Sequence, residues 1–204
     1  MGTYPNIAIS DPDRDWEINP RAGEAGMQLV DAYREGLTHR VAMVAILNSE
    51  AQILLQVRGE NILWPNLWDI SAAGHVEANK TYMQCAISET SEEVGIDITQ
   101  QPCGNSLQRV AHFKSVETVI AGNDQRLQDV ATVSRWNTLY VYQLPGGIDY
   151  RIDNTEVVEA SWTELGVARQ AIAEQPEEFR EGAVYALQAL YAVIDAGRLS
   201  TLQQ

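Results

Sequence analysis

Three glutamates, Glu89, Glu92 and Glu93, stand at i, i+3 and i+4 in the stretch GHVEANKTYMQCAISETSEEVGI, Gly74 to Ile96. On a helix that spacing brings three carboxylates onto one flank. Like charges so placed repel, and the last turn of a helix, where Glu92 and Glu93 would fall, favours cations. A hard divalent cation resolves both problems. Mg²⁺ binds through a few carboxylates together with substrate phosphate oxygens, so the cluster points to phosphate chemistry, against the blander reading of a solvated acidic face. The flanks agree with a helix: Thr81 with Gln84 has the spacing of a capping box, and Gly95 falls where a C-terminal glycine belongs. Met83, Ala86, Ile87, Thr90 and Val94 form the predicted inward stripe.

The same stretch resembles a Nudix box, whose pattern is Gly, five residues, Glu, seven residues, Arg-Glu, an aliphatic residue, any residue, Glu-Glu, any residue, Gly and an aliphatic residue. Gly74, Glu89, Glu92, Glu93, Gly95 and Ile96 match at the required spacing. Lys80 stands where the family has Glu, Ser88 where it has Arg, and Thr90 at the aliphatic position. The resemblance implies a metal-dependent pyrophosphohydrolase with Mg²⁺, or Mn²⁺ in its place, held by Glu92 and Glu93. Glu89 is then a third ligand or the carboxylate that orients or deprotonates the attacking water. Lys80, Arg58 and His75 are the candidate substrate contacts, Lys80 as a point charge that replaces some of what Ser88 lacks. Loss of both pattern residues also fits a weakened enzyme, or a ligand-binding protein on the same fold.

Upstream, HRVAMVAILNSEAQILLQVR and WPNLWDISAAGHV are similar to the Nudix branch related to isopentenyl diphosphate isomerase. His39 and His75 match metal-binding histidines of that enzyme. Ala73 stands at its catalytic cysteine, and Arg135 and Asn137 at its later metal-binding carboxylates, so isomerase activity is the least favoured reading while hydrolysis of a prenyl diphosphate stays open. Glu117, Asp124 and Asp129, further acids in the loop after the box, could supply a base but are read as surface residues. Trp64, Trp68 and Trp136 are each open to stacking or packing, with packing favoured for Trp68.

The elements that must position these residues are set by periodicity and turn signals. The spacing predicts a short strand near Ile7 to Ile9, a helix over Glu24 to Glu35 closed by Gly36, and a hairpin of Val41 to Leu47 with Gln52 to Val57. A strand over Asp69 to Ala72 leads to Gly74. Further strands are expected at Arg109 to Lys114, Val116 to Ile120, Trp136 to Gln143 and Val157 to Trp162. Two helices come last, Glu164 to Glu174 and Glu178 to Ala196, the second begun by Pro176 and carrying Val184, Leu187, Leu190, Tyr191 and Ile194 as its apolar stripe. The fold class is α/β, a mixed β-sheet flanked by helices: an arm and helix over 1–36, a core over 37–165 and C-terminal helices over 166–204 of the same domain.

Composition bounds the partners. A net charge of -14 excludes a nucleic-acid backbone as ligand, since that needs clustered Lys and Arg. It does not exclude a small diphosphate, which arrives with its own cations. No apolar stretch reaches membrane-spanning length and the N-terminus has no secretory pattern, so a cytoplasmic setting is expected. Cys85 and Cys103 have no disulfide or zinc spacing and carry no chemistry. The C-terminal helix is long enough to serve a homodimer.

Overall fold

The computed structural model describes residues 6–8, 26–100, 107–120, 127–146, 148–152 and 155–199. In chain order its elements are β1 (Asn6–Ala8), β2 (Gly26–Gln28), α1 (Leu29–Arg34), β3 (His39–Leu47), β4 (Gln52–Arg58), β5 (Trp68–Asp69) and β6 (Ala72–His75), then α2 (Tyr82–Val94), β7 (Gln108–Thr118), β8 (Thr132–Gln143), β9 (Val157–Glu164), α3 (Leu165–Glu174) and α4 (Glu181–Asp195). Every residue of β3 is buried, which is why its sequence reads as an apolar run rather than an alternation. It lies parallel to β8 from His39↔Arg135 to Leu47↔Gln143 and antiparallel to β6. β7 pairs antiparallel with β8, and β4 pairs with β5 and β9. The result is a mixed seven-stranded sheet.

β3 and β4 are paired only at Leu47↔Ile53, beside their connecting turn, and beyond it they part. Ser71 spans the opening: its hydroxyl accepts from the Ile46 N–H at 2.8 Å and donates to the Leu54 carbonyl at 2.6 Å. This split in the sheet is what admits a glutamate side chain from α2.

Two apolar layers cover the sheet. Val41, Met43, Ala45, Leu47, Ile53 and Leu55 face α3 and α4 through Ala168, Ile172, Ala186, Leu187 and Leu190. Ala42, Val44, Ile46 and Leu54 face α2 through Tyr82, Cys85, Ala86 and Val94. Alternate residues of the buried strands thus serve opposite helices. A third cluster joins α1 to Leu63, Trp64, Leu127 and Val133.

Several expectations change. The helix expected over Glu24 to Glu35 is strand at Gly26–Gln28, because those residues pair with Asn6–Ala8, and only Leu29–Arg34 is helical. The strand expected over Asp69 to Ala72 is broken into β5 and β6 at Ile70 and Ser71, where the chain crosses the split. The two strands expected between Arg109 and Ile120 are one, β7, held continuous by β8 across a bulge near Val110. Pro176 begins a separate 3₁₀ turn, and α4 starts only at Glu181. On α2, Met83 is 38% exposed, and the inward face is Tyr82, Cys85, Ala86, Thr90, Glu93 and Val94. No helix among the described residues is long and apolar enough to cross a membrane.

Candidate active site

α2 begins and ends as its sequence requires. The Thr81 hydroxyl accepts from the Gln84 N–H at 3.0 Å while the Gln84 side chain accepts from the Thr81 N–H at 2.9 Å. Gly95 closes the helix at φ 67°, a left-handed conformation suited to glycine. Between these ends the three glutamates take different environments. Glu93 is 5% exposed and reaches into the split of the sheet, where its Oε2 accepts from Gln56 Nε2 of β4 at 2.9 Å and from the Ala73 N–H of β6 at 3.1 Å. Glu89 is half-buried, and Glu92 lies exposed on the outer side.

Gly74 explains how Glu89 sits so close to β6. A Cβ at this position would coincide with the Glu89 carboxylate, so no other residue leaves room for it. The Cys85 thiol, one turn earlier, donates toward the Gly74 carbonyl at 3.6 Å and Glu89 Oε1 at 3.8 Å.

Burial and mutual repulsion both work against charge on the two carboxyl groups. Burial first, then the Glu92 and Glu156 carboxylates, pushes Glu89 up to about 7. Burial and the nearby Glu89 charge push Glu93 well above the usual carboxylate range, against the pull of its Gln56 hydrogen bond and the Arg58 charge. The Gln56 Oε1 is buried with no donor among the described residues, an acceptor beside an acid pair. Hard oxygen donors in this number and charge fit a divalent cation better than they fit one another. Among the described residues no three His, Cys, Asp or Glu side chains are yet gathered as a complete ligand set.

The other candidates have partners of their own. Lys80 pairs with Glu77 at 3.1 Å on the surface, while its charge still acts on Glu89. Arg58 donates from Nε to the Leu63 carbonyl and from Nη1 to Asp69, both at short range (2.8 and 2.9 Å). His75 shares a 2.8 Å hydrogen bond with the Tyr33 hydroxyl. Glu117, expected at the surface, is fully buried between Arg135 and Arg180 at 2.9 and 3.0 Å. Asp129 is exposed, and Asp124 and Cys103 lie outside the described residues.

Sequence reasoning missed the buried ion network beneath the site. Arg180 bridges Asp69 and Glu117, and Arg135 bridges Glu117, His39 and Tyr33. Trp64 lies among the guanidiniums of Arg135, Arg180 and Arg58, with centroid distances of 4.6, 5.8 and 5.9 Å. The signal was available in β7, where Phe113, Ser115 and Glu117 share a face, so an acid occupies a place that alternation assigns to the core.

The Arg135 Nε donates to His39 Nε2 at 3.2 Å, so a guanidinium stands against the histidine where the isomerase resemblance would put a metal. Burial and the Arg135 charge hold His39 down at about 3, and burial with His39 and Arg135 keeps His75 well below its usual value. Ala73 supplies a backbone N–H to Glu93 and no thiol.

The NUDIX domain model matches residues 37–187. The chain belongs to the NUDIX family. A Nudix hydrolase of Listeria monocytogenes is 44% identical over 64 residues, 31% of this chain and 38% of the relative. A prenyl-diphosphate phosphatase of Methanosarcina mazei is 35% identical over 75 residues, covering 36% and 44%. An isopentenyl-diphosphate Delta-isomerase of Jannaschia sp. is 23% identical over 154 residues, covering 75% and 79%. The chain thus spans less than half the length of the first two relatives. The solved structure of DR0079 from Deinococcus radiodurans superposes with a TM-score of 0.57 at 19% identity, covering 83% of this chain and 90% of that one, which shows the shared fold of a mixed sheet flanked by helices.

Proposed function

We propose that the protein is a metal-dependent NUDIX pyrophosphohydrolase that cleaves the diphosphate linkage of a nucleoside diphosphate derivative or a related small organic diphosphate. The observation that carries this reading is the convergence of Glu89 and Glu93 on the split between β4 and β6, with both carboxyl groups held above their usual range. Family membership and the Nudix hydrolase relative support it.

Glu93 and Glu89 would hold the cation, Mg²⁺ or Mn²⁺, with Glu92 turning inward to join them. Bound there, the metal would neutralise phosphate charge and lower the pKa of a water. The chain's own part is geometric. Gln56 and the Ala73 N–H fix the Glu93 carboxylate, and Gly74 lets Glu89 lie against the strand. Alternatively Glu89, left off the metal, would orient or deprotonate the attacking water, a role that a carboxyl group raised to about 7 suits at neutral pH. Lys80, whose charge acts on Glu89, would meet a phosphate on leaving Glu77.

A second reading, a ligand-binding protein with weak or no turnover, draws on Lys80 and Ser88 standing where the family pattern has Glu and Arg. Isomerase chemistry is disfavoured by Ala73 and by the Arg135 guanidinium against His39.

The test is a hydrolysis screen over nucleotide sugars, dinucleoside polyphosphates, nucleoside triphosphates and prenyl diphosphates, with Mg²⁺ or Mn²⁺ and with Glu93→Gln as control. Metal-dependent turnover that disappears in Glu93→Gln supports the hydrolase. Silence from folded protein that nevertheless gains thermal stability with a diphosphate and metal supports the binding protein.

A further inference from the structure

The sheet carries a second feature on the face that holds Glu89. Strand register places His112, Thr138, Ala42 and Gly74 in one row across β7, β8, β3 and β6, and Lys114, Trp136 and Arg40 in the next. Laterally paired residues point to the same face, so these rows share the side on which Gly74 meets Glu89. At the far end the His112 and Trp136 rings stack, with centroids 5.0 Å apart and planes 2° from parallel. Tyr82, the first residue of α2, meets the His112 ring edge-on at 5.8 Å.

Three properties separate this stack from ordinary packing. Both rings are half-buried rather than covered. Among the described residues, Trp136 packs into none of the three apolar clusters. Its indole N–H is shut from solvent with no acceptor among the described residues, a state that a buried donor rarely tolerates without a partner. Trp64, by contrast, is 3% exposed and donates its N–H to the Thr118 carbonyl at 2.7 Å.

We propose that the Trp136–His112 stack is the seat of the substrate's flat heteroaromatic group, which makes the substrate a nucleoside diphosphate derivative rather than a prenyl diphosphate. With strands about 4.8 Å apart and residues about 3.3 Å along them, the Trp136 and Gly74 backbones lie about 12 Å apart. That separation leaves room for a phosphate and a sugar between the acid pair and the rings. The surroundings suit a base better than an aliphatic tail: the His112 imidazole and the exposed Lys114 across from Trp136 offer polar edges, whereas a prenyl chain gains most from aliphatic walls. Stacking tolerates any base, so the seat selects the class of substrate and not its letter.

The inference rests on the diphosphate reading, and its test uses binding so that the two can fail separately. The full-length protein with Mg²⁺ is titrated calorimetrically with adenosine and cytidine α,β-methylene diphosphates, with methylenediphosphate alone, and with a prenyl thiolodiphosphate. The nucleoside compounds bind at least about tenfold more tightly than methylenediphosphate, and the ratio falls about tenfold in Trp136→Leu and in His112→Ala. The wild-type ratio decides even where a substituted protein fails to fold: a value near one overturns the proposal. A ratio indifferent to both substitutions in folded protein, or a prenyl preference that both erase, overturns it as well. Intact nucleoside preference without turnover of any diphosphate removes the hydrolase and keeps the seat, while turnover with a ratio near one does the reverse.

Discussion

Arg180 and Asp69 lie 111 residues apart in the chain and meet in a two-point ion pair, Nε to Oδ2 at 2.6 Å and Nη2 to Oδ1 at 3.1 Å. Both are buried, and Arg180 also donates its backbone N–H to the Trp68 carbonyl at 2.9 Å. The pair therefore pins the start of α4 to β5, whose Asp69 pairs with Gln56, one of the two residues that hold Glu93. Arg180→Met leaves Asp69 and Glu117 short of a buried partner and costs about 3–5 kcal/mol in urea unfolding. Arg180→Lys recovers only part, because an ammonium does not reproduce the fork. A loss under about 1 kcal/mol for the Met variant would refute the structural role.

Gly182 tests the same network from the helix side. Glycine to alanine in a helix usually gains up to about 1 kcal/mol. Here a Cβ would lie 2.5 Å from Arg180 Nη1 and 2.7 Å from Glu117 Oε1. Gly182→Ala is expected to lower stability instead. A rise in melting temperature would show that the guanidinium moves freely.

Acid should unfold the protein through Asp69 and Glu117. Burial alone would raise both, but Arg180 and Arg58 around Asp69, and Arg135 and Arg180 around Glu117, hold them below their usual values. A depressed carboxylate contributes stability that is present above its unfolded pKa, about 4, and lost as pH falls through its folded one. Stability from this network is therefore constant from neutral pH down to about 5 and declines below about 4. In Asp69→Asn the acid limb is shallower although the protein is weaker at pH 7; an unchanged limb would argue against these groups.

The chemistry-bearing segment was legible because its signals are local. Thr81 with Gln84, Gly95, and the spacing of Glu89, Glu92 and Glu93 are all set within one helix and its caps. The features that escaped were set by distance. Gln56 and Ala73 hold Glu93 only because β3 and β4 part after Leu47↔Ile53, and no local pattern announces that split. Gly26–Gln28 shares helical spacing with Leu29–Arg34, yet becomes strand because Asn6–Ala8, far upstream, pairs with it. Arg180, inside the helix expected over Glu178 to Ala196, is buried at a junction of three elements.

Gly74→Ala separates local geometry from global fold. The added methyl would occupy the position of the Glu89 carboxylate, so Glu89 must leave β6 while the strand pairing with β3 remains. Turnover should fall by at least about tenfold and the metal requirement rise, with circular dichroism unchanged. Full activity would show that Glu89 works from a different position.

Glu89 also gives the metal-free protein an unusual pH dependence. Its pKa is raised from 4.5 to about 7 by burial and by Glu92 and Glu156. The folded state then binds more protons than the unfolded state between those values, so stability declines as pH rises from about 4.5 to about 7 and is level above. A shift of this size corresponds to at most about 3 kcal/mol, and solvent access to the half-buried side chain reduces the expected drop to about 1–2 kcal/mol. Urea unfolding in chelator at pH 5 and pH 8 measures it. Glu93, raised in the same direction, adds to the decline, so Glu89→Gln should flatten the slope in part and raise stability at pH 8. Saturating Mg²⁺ should remove the decline by favouring the charged carboxylates. A slope that is the same with and without Mg²⁺ would show that these two acids do not share a cation.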